Sequence, residues 1–188
     1  MNDANFEKAL SQTLKNEGVV NGKTGYVNNK KDSGGETNYG ITANIAIKYG
    51  YQGKMRNIPF YVVKEIYYNK YWKKTNAANI QNFNLAFLLF DFAVNSGVAN
   101  ACKKLQTAIN KVSGSKLVID GIIGQKTINA IDKYIDNENY HFYVNQLEKT
   151  YIAEILNYYT SLSKFNIFGK GWINRVASNI KFLAGVLK

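Results

Sequence analysis

The chain has 188 residues, of which 46% are hydrophobic and 20% charged, and this composition indicates a folded globular protein that buries about 70% of its unfolded surface. Its net charge of +11 comes almost entirely from lysine, because Arg56 and Arg175 are the only arginines. Such a surface indicates diffuse attraction to a polyanion and argues against sequence-specific reading of DNA, in which bidentate arginine contacts dominate.

The N-terminal part predicts a helix, a long loop and a second, short helix. Apolar residues at helical spacing extend to Glu17, and Gly18 ends the first helix just beyond it. Residues 18–40 have no sustained period, and their Gly, Asn and Lys content predicts a shaped loop or a small hairpin. Thr42 is the expected N-cap of a short helix that Gly50 terminates.

The N-terminus also lacks the basic start and apolar stretch of a secretory signal peptide. No segment offers the roughly 18 uninterrupted apolar residues of a transmembrane helix. We therefore expect synthesis in the cytoplasm without a membrane anchor, so that a substrate outside the membrane would require release of the protein by another component.

The middle of the chain predicts two helices of different character. Pro59 suits the first turn of an amphipathic helix that continues to about residue 74. Residues 84–97 are apolar nearly all round, which predicts a buried central helix ending at Gly97. Its polar exceptions are Asp91 and Asn95, and Asp91 must find hydrogen-bond partners inside the protein.

The C-terminal half predicts further helices and hence a mostly α fold. A helix ends at Gly114, a short extended piece follows, and Asp120-Gly121 forms a turn before a helix from about Gln125. Residues 138–163 predict a long amphipathic helix and residues 171–187 a last one.

Cysteine and histidine are each present once, as Cys102 and His141. An intrachain disulfide is therefore excluded, as is a zinc site built from His and Cys ligands, which needs three or four of them. Cys102 lies in an apolar helical run and is expected to be a buried thiol, and His141 is expected to have a surface or packing role. We expect no metal and no cofactor.

The loop from Glu17 to Thr42 carries the strongest candidates for chemistry. Glycosidic hydrolysis uses one carboxylic acid to protonate the departing oxygen and a second group to stabilise the sugar cation or activate water. The loop supplies Glu17, Asp32 and Glu36 as carboxyl groups and Thr37 as a hydroxyl.

A series of short segments across the chain resembles glycoside hydrolase family 108, the N-acetylmuramidases found among phage endolysins and muramidase-type secretion activators. The segments are EG at 17–18, GYVN at 25–28, DSGGETNYGIT at 32–42, YYNKYW at 67–72, DFAVNSG at 91–97, DGIIGQKT at 120–127 and GWINR at 171–175. The resemblance implies a lysozyme-like helical catalytic part at residues 1–97. It also implies a C-terminal helical part at 98–188 with a peptidoglycan-binding-like segment, both packed as one compact unit. By the same resemblance Glu17 is the catalytic acid.

One departure from the family pattern lies directly after Glu17. Family members run through EGGYVNDP, whereas here residues 19–24 intervene and are expected to form a solvent-exposed detour. With that segment set aside, Glu17, Asp32 and Thr37 resemble the Glu, Asp and Thr order of phage-type lysozymes. This favours Asp32 as the second catalytic carboxylate and Thr37 as the hydroxyl that orients water. Glu36 remains the competing carboxylate and a candidate for substrate binding.

Aromatic and amide side chains are the expected lining of a sugar-binding cleft. Sugar rings stack on aromatic faces, and amides form hydrogen bonds with acetamido groups. Tyr39, Tyr71 and Asn95 are the candidates on these grounds. Tyr67 and Trp72 are further candidates, although their core-like helical positions favour packing.

The leading hypothesis is a monomeric lysozyme-type endolysin that hydrolyses bacterial peptidoglycan between N-acetylmuramic acid and N-acetylglucosamine. It would act in the periplasm or cell wall after release by a holin or secretion system. The lysine excess suits anionic wall polymers, whereas binding of nucleic acid is not expected. A lytic transglycosylase, which needs one Glu and no activated water, is the alternative within the enzyme class. A non-catalytic cell-wall-binding protein is the alternative outside it. Inverting and retaining stereochemistry both stay open, because sequence spacing does not determine the distance between carboxyl groups.

Overall fold

The computed structural model describes residues 3–20, 24–28 and 35–185, and these residues are mostly α-helical, as predicted. They form eight α-helices and one two-stranded antiparallel hairpin. The strands are β1 (Thr37–Asn38) and β2 (Ile41–Thr42), and the helices are α1 (Ala4–Asn16), α2 (Ala43–Lys48), α3 (Phe60–Tyr67), α4 (Phe83–Ser96), α5 (Val98–Ser113), α6 (Gln125–Ile135), α7 (Tyr140–Thr160) and α8 (Phe165–Leu183). The chain forms two compact units, Met1–Lys70 and Tyr71–Lys188. The predicted division into a catalytic part at residues 1–97 and a C-terminal helical part at 98–188 stays a prediction.

The first unit contains α1, the hairpin, α2 and α3. The carboxylate of Asp3 caps α1 by accepting the N–H of Phe6 at 3.0 Å. The hydroxyl of Thr42 caps α2 by accepting the N–H of Ile45 at 3.4 Å, as its sequence position predicted. Helix α3 begins directly after Pro59, whose missing N–H costs nothing at a helix start. The buried apolar side chains of this unit include Phe6, Ala9, Leu10, Leu14, Ile41, Ala46, Met55, Ile58, Val62, Val63 and Ile66.

The helix predicted to run from Pro59 to about residue 74 is shorter in the structure. Its α-helical part ends at Tyr67, and Tyr68–Trp72 follow as a π-helix. The hydroxyl and the N–H of Thr75 both donate to the carbonyl of Tyr71, each at 2.8 Å. Asn76 then adopts a left-handed conformation with φ of 59° and ends the helical path. The spacing of the apolar residues predicted which face of the helix is buried, but it did not indicate the change from α-helix to π-helix.

The second unit is built around α4, which is buried along most of its length. Helix α5 packs on α4 and α7, and α7 also packs on α8. The carboxylate of Asp91 on α4 accepts hydrogen bonds from both Nε and Nη2 of Arg175 on α8, each at 2.8 Å. Asn179 donates to the same carboxylate at 2.6 Å. Asp91 therefore has the buried polar partners that its place in an apolar helix required.

The connection from α5 to α6 is an ordered loop whose turn is held by one glutamine. Nε2 of Gln106 donates to the carboxylate of Asp120 at 2.8 Å, and its Oε1 accepts the N–H of Gly121 at 2.9 Å. Gly121 has φ of +84°, and a Cβ there would lie 3.1 Å from the carbonyl oxygen of Ala99. The predicted turn at Asp120-Gly121 is present.

Candidate functional site

Glu17 occupies the C-terminal end of α1, where the sequence placed it. Its N–H donates to the carbonyls of Thr13 and Leu14 at 3.0 and 3.1 Å, which closes the last turn of the helix. Gly18 follows with φ of +83° and turns the chain away. Glu17 is partly buried, so its carboxyl group lies at the edge of the protein rather than inside the core.

The β1–β2 hairpin reverses direction at Tyr39 and Gly40. Both residues have positive φ, 51° and 70°, which a two-residue type I′ turn requires at its two central positions. Asn38 holds the turn in place. Its buried amide donates to the carbonyl of Met55 at 2.8 Å, and its Oδ1 accepts the N–H of Tyr39 at 3.0 Å.

The carboxyl group of Glu17 packs directly against this turn. A Cβ added at Gly40 would lie 2.9 Å from Oε2 and 3.2 Å from Cγ of Glu17. The same Cβ would lie 3.0 Å from the hydroxyl of Tyr67, which donates to the carbonyl of Tyr39 at 2.8 Å. The structure thus brings together the Glu17 carboxyl group, the Tyr39–Gly40 turn and the Tyr67 hydroxyl, and only a glycine at position 40 leaves room for them.

Glu36 is held by groups of the same loop region. Its carboxylate accepts hydrogen bonds from the hydroxyl of Tyr26 at 3.1 Å and from the amide of Asn28 at 3.3 Å. The guanidinium of Arg56 lies over the ring of Tyr26, 5.0 Å from its centroid. These contacts connect Glu36 to the chain segment that follows the detour after Glu17.

Thr37 lies at the start of β1 and is partly buried. Its backbone pairs with Val27 through two hydrogen bonds of 2.8 and 2.9 Å, which adds a third short chain segment beside the hairpin. Asp32 and residues 21–23 lie outside the described residues, so the assignment of Asp32 and the shape of the detour stay predictions.

A groove of about 440 Å³ lies on the first unit. Tyr39 contributes its partly exposed ring to this groove, 5.8 Å from the ring of Phe60. Phe60 lines the groove as well, and the other lining residues are Glu7, Leu10, Ser11, Leu14, Lys15 and Val19. The turn that packs on Glu17 therefore also presents an aromatic side chain to an open, largely apolar groove.

The other two predicted sugar-binding residues belong to the second unit. Tyr71 is partly buried in the π-helix, and its carbonyl accepts the two bonds from Thr75. Asn95 is exposed near the end of α4, and its Oδ1 accepts a hydrogen bond from Tyr159 at 2.8 Å. Their roles in binding substrate stay predictions.

Nowhere in the described ranges do three or more His, Cys, Asp or Glu side chains form a group that could hold a metal ion. No helix within those ranges is both long enough and apolar enough to cross a membrane.

Comparison with known proteins bears on the family. Residues 10–97 match the family model for glycosyl hydrolase 108. The predicted resemblance to this family is thereby confirmed over these residues. The structure of Brucella abortus SagA is also similar, with 29% sequence identity and a TM-score of 0.68, over 95% of this chain and 94% of the SagA chain. No curated protein matches significantly. The family domain supports a glycoside hydrolase, and the two matches together support a peptidoglycan hydrolase in general.

Three residues of this region were not among the favoured site residues. Tyr67 was a cleft candidate for which packing was favoured, and its hydroxyl holds the turn next to Glu17. Asn38 anchors the hairpin, and Tyr26 binds Glu36. The Asn-Tyr-Gly run at 38–40 is a turn signal that could have indicated the hairpin, whereas the pairings of Tyr67 and Tyr26 have no local signal in the sequence.

Proposed function

We propose that this protein is an N-acetylmuramidase that cleaves the β-1,4 bond between N-acetylmuramic acid and N-acetylglucosamine in peptidoglycan, with Glu17 as the general acid. The observation that carries the proposal is the packing of the Glu17 carboxyl group on the Tyr39–Gly40 turn. That packing lies inside the segment that matches the glycosyl hydrolase 108 model. A catalytic acid must be held in one geometry at an accessible edge, and Glu17 meets both requirements.

In the proposed reaction, Glu17 gives its proton to the glycosidic oxygen as the bond from that oxygen to C1 of the muramic acid breaks. Positive charge develops on C1 and the ring oxygen of the muramic acid, where a carboxylate can stabilise it, and a water molecule then adds to C1 to complete the hydrolysis. The turn and the Tyr67 hydroxyl restrict where the Glu17 carboxyl group can lie. Because Gly40 has no side chain, nothing at position 40 clashes with the Glu17 carboxyl group.

We assign the second carboxylate to Asp32 and the hydroxyl that orients water to Thr37. The contacts of Glu36 with Tyr26 and Asn28 support this choice, because they give Glu36 a role in holding the loop. Substitution distinguishes the two carboxylates. Asp32→Asn should reduce wall lysis more than Glu36→Gln, and the opposite order would exchange their roles.

Substrate contacts are assigned to Tyr39, Tyr71, Asn95 and Glu36. Tyr39 is supported by its partly exposed ring on the groove of the first unit. The net charge of +11 favours an anionic wall, in which phosphates and peptide carboxylates attract lysine. We further propose that the protein acts as an endolysin, as a monomer, in the periplasm or cell wall after release by a holin or secretion system.

The central test is Glu17→Gln, compared with Glu65→Gln as a matched control. Glu65 lies exposed on α3 in the same unit, so its substitution removes one carboxylate of the same type away from the turn. Glu17→Gln should abolish loss of turbidity of purified peptidoglycan and change the free energy of unfolding by no more than about 1 kcal/mol. Glu65→Gln should leave lysis unchanged. Retention of more than a few per cent of activity by Glu17→Gln would exclude it as the acid.

The products identify the reaction. Mass spectrometry of the digested wall should show reducing N-acetylmuramic acid ends that have gained one water. Anhydro ends of the same fragments would identify a lytic transglycosylase instead. Binding to the wall without any product would identify a non-catalytic wall-binding protein.

A further inference from the structure

Asn95 is held in one orientation by a buried tyrosine. The hydroxyl of Tyr159 donates to Oδ1 of Asn95 at 2.8 Å, and the hydroxyl of Ser96 lies 3.3 Å from the same atom. Burial raises the pKa of Tyr159 to about 12, so its hydroxyl keeps its proton at neutral pH and remains a donor. Asn95 is exposed on α4, so with Oδ1 occupied its Nδ2 donors remain for a ligand.

The ring of Tyr159 continues into an aromatic cluster on α8. Trp172 stacks on Tyr159 with 5.3 Å between ring centroids and 15° between planes. Phe168 and Phe165 lie tilted against Trp172, with centroids 6.0 and 6.5 Å from it. We name Tyr159, Phe165, Phe168 and Trp172 the aromatic platform. The aromatic platform is connected to Asn95 by the hydrogen bond from the Tyr159 hydroxyl.

The outer end of the platform is open to solvent and carries positive charge. Phe168 is 50% exposed, and its neighbour Ile167 is 73% exposed. Lys164 and Lys170 lie exposed beside them. No acidic residue follows Glu154 in the sequence, so no nearby carboxylate along α8 neutralises these lysines.

We propose that Asn95 and the aromatic platform form a saccharide-binding site in the second unit, specific for N-acetylated sugars of a carboxylate-bearing glycan. The apolar face of a sugar ring packs on Phe168 and Trp172, and Nδ2 of Asn95 donates to the acetamido carbonyl. Lys164 and Lys170 attract the carboxylates of the glycan strand. This inference rests on the proposed function for the identity of the glycan, and it adds the platform residues, which that function does not use.

Binding is best measured in the Glu17→Gln background, in which the glycan stays intact. The chain has two tryptophans, and Trp72 is only 1% exposed, so a change in tryptophan emission on adding soluble sugar reports chiefly on Trp172. Chitotetraose should change the emission, whereas cellotetraose, which lacks acetamido groups, should bind at least fivefold more weakly. Binding to the carboxylate-bearing glycan is measured by cosedimentation with purified peptidoglycan.

Two substitutions test the site, and each is checked by its melting temperature. Phe168→Ala removes an exposed ring and should weaken binding of chitotetraose and of peptidoglycan about threefold to tenfold. Asn95→Asp replaces the amide donor with a carboxylate and should reduce the affinity for chitotetraose to that for cellotetraose. The matched control is Phe142→Ala, because Phe142 is 63% exposed on α7 and packs edge-to-face against Tyr143 rather than against the platform.

The results separate this site from the proposed catalytic function. Loss of affinity in Phe168→Ala and Asn95→Asp, with Phe142→Ala unchanged, supports the site. Equal affinity in Phe168→Ala and Phe142→Ala would overturn it, as would binding to anionic lipid vesicles but not to peptidoglycan. Wall lysis by the Glu17→Gln protein would instead refute the catalytic proposal and leave the binding result standing, since binding is measured without cleavage.

Discussion

A methyl group added at Gly40 is expected to disturb the carboxyl group of Glu17. In Gly40→Ala the new Cβ would lie 2.9 Å from Oε2 of Glu17 and 3.0 Å from the Tyr67 hydroxyl. Contacts this short require a shift of either the turn or the glutamate. Because a displacement of about 1 Å at a catalytic group can cost about 100-fold in rate, wall lysis should fall at least tenfold.

The same substitution also strains the backbone, and Gly50→Ala measures that contribution alone. Gly50 has φ of +87°, similar to the +70° of Gly40, and a Cβ there would meet no atom within 4 Å. A left-handed conformation costs an alanine about 1–2 kcal/mol relative to glycine, which lowers the melting temperature of a chain of this size by about 2–8 °C. Gly50→Ala should lose this stability and keep its activity.

The assay compares initial rates of turbidity loss of purified peptidoglycan, normalised to folded protein at a temperature well below both melting transitions. Gly40→Ala should be at least tenfold slower than Gly50→Ala. Equal rates would show that the packing of Glu17 on the hairpin turn does not position the catalytic acid. A large loss of activity in Gly50→Ala would show that backbone strain alone accounts for the effect.

Three further predictions concern buried or partly buried groups of the second unit. Burial raises the pKa of Cys102 to about 12, so iodoacetamide at about pH 8 should label it only in denaturant, as mass spectrometry would detect. Burial also raises the pKa of Glu148 above its ordinary value of 4.5. The native state therefore holds a proton that the unfolded state releases, and stability should fall as pH rises from 4.5 through the raised native pKa. Glu148→Gln should flatten that dependence in urea titrations, and an unchanged slope would contradict the assignment. Arg175→Met leaves the Asp91 carboxylate buried without its guanidinium partner. It should lower the free energy of unfolding in urea by about 3–5 kcal/mol. Adding Asp91→Leu to the same chain should restore most of that loss.

Local signals in the sequence were enough to predict most helix boundaries. Thr42 caps α2, and Gly97 and Gly114 end α4 and α5 at the predicted positions. Capping and chain reversal depend on residues within three or four positions of one another, so their physical chemistry can be read from a short window. The same locality placed Glu17 at the end of α1 and predicted that Asp91, alone in an apolar helix, needs a buried partner.

The pairings that build the candidate site are long-range, and only the tertiary structure decided them. Glu17 meets Gly40 across 23 positions, and Tyr67 reaches the carbonyl of Tyr39 across 28. Arg175 is the partner of Asp91 across 84 positions, although several other cations could have served by charge alone. The two members of each pair are too far apart in the sequence for a local pattern to link them. Which of many compatible side chains meet is determined by how the helices and the hairpin pack, because close packing permits few arrangements of the same apolar faces.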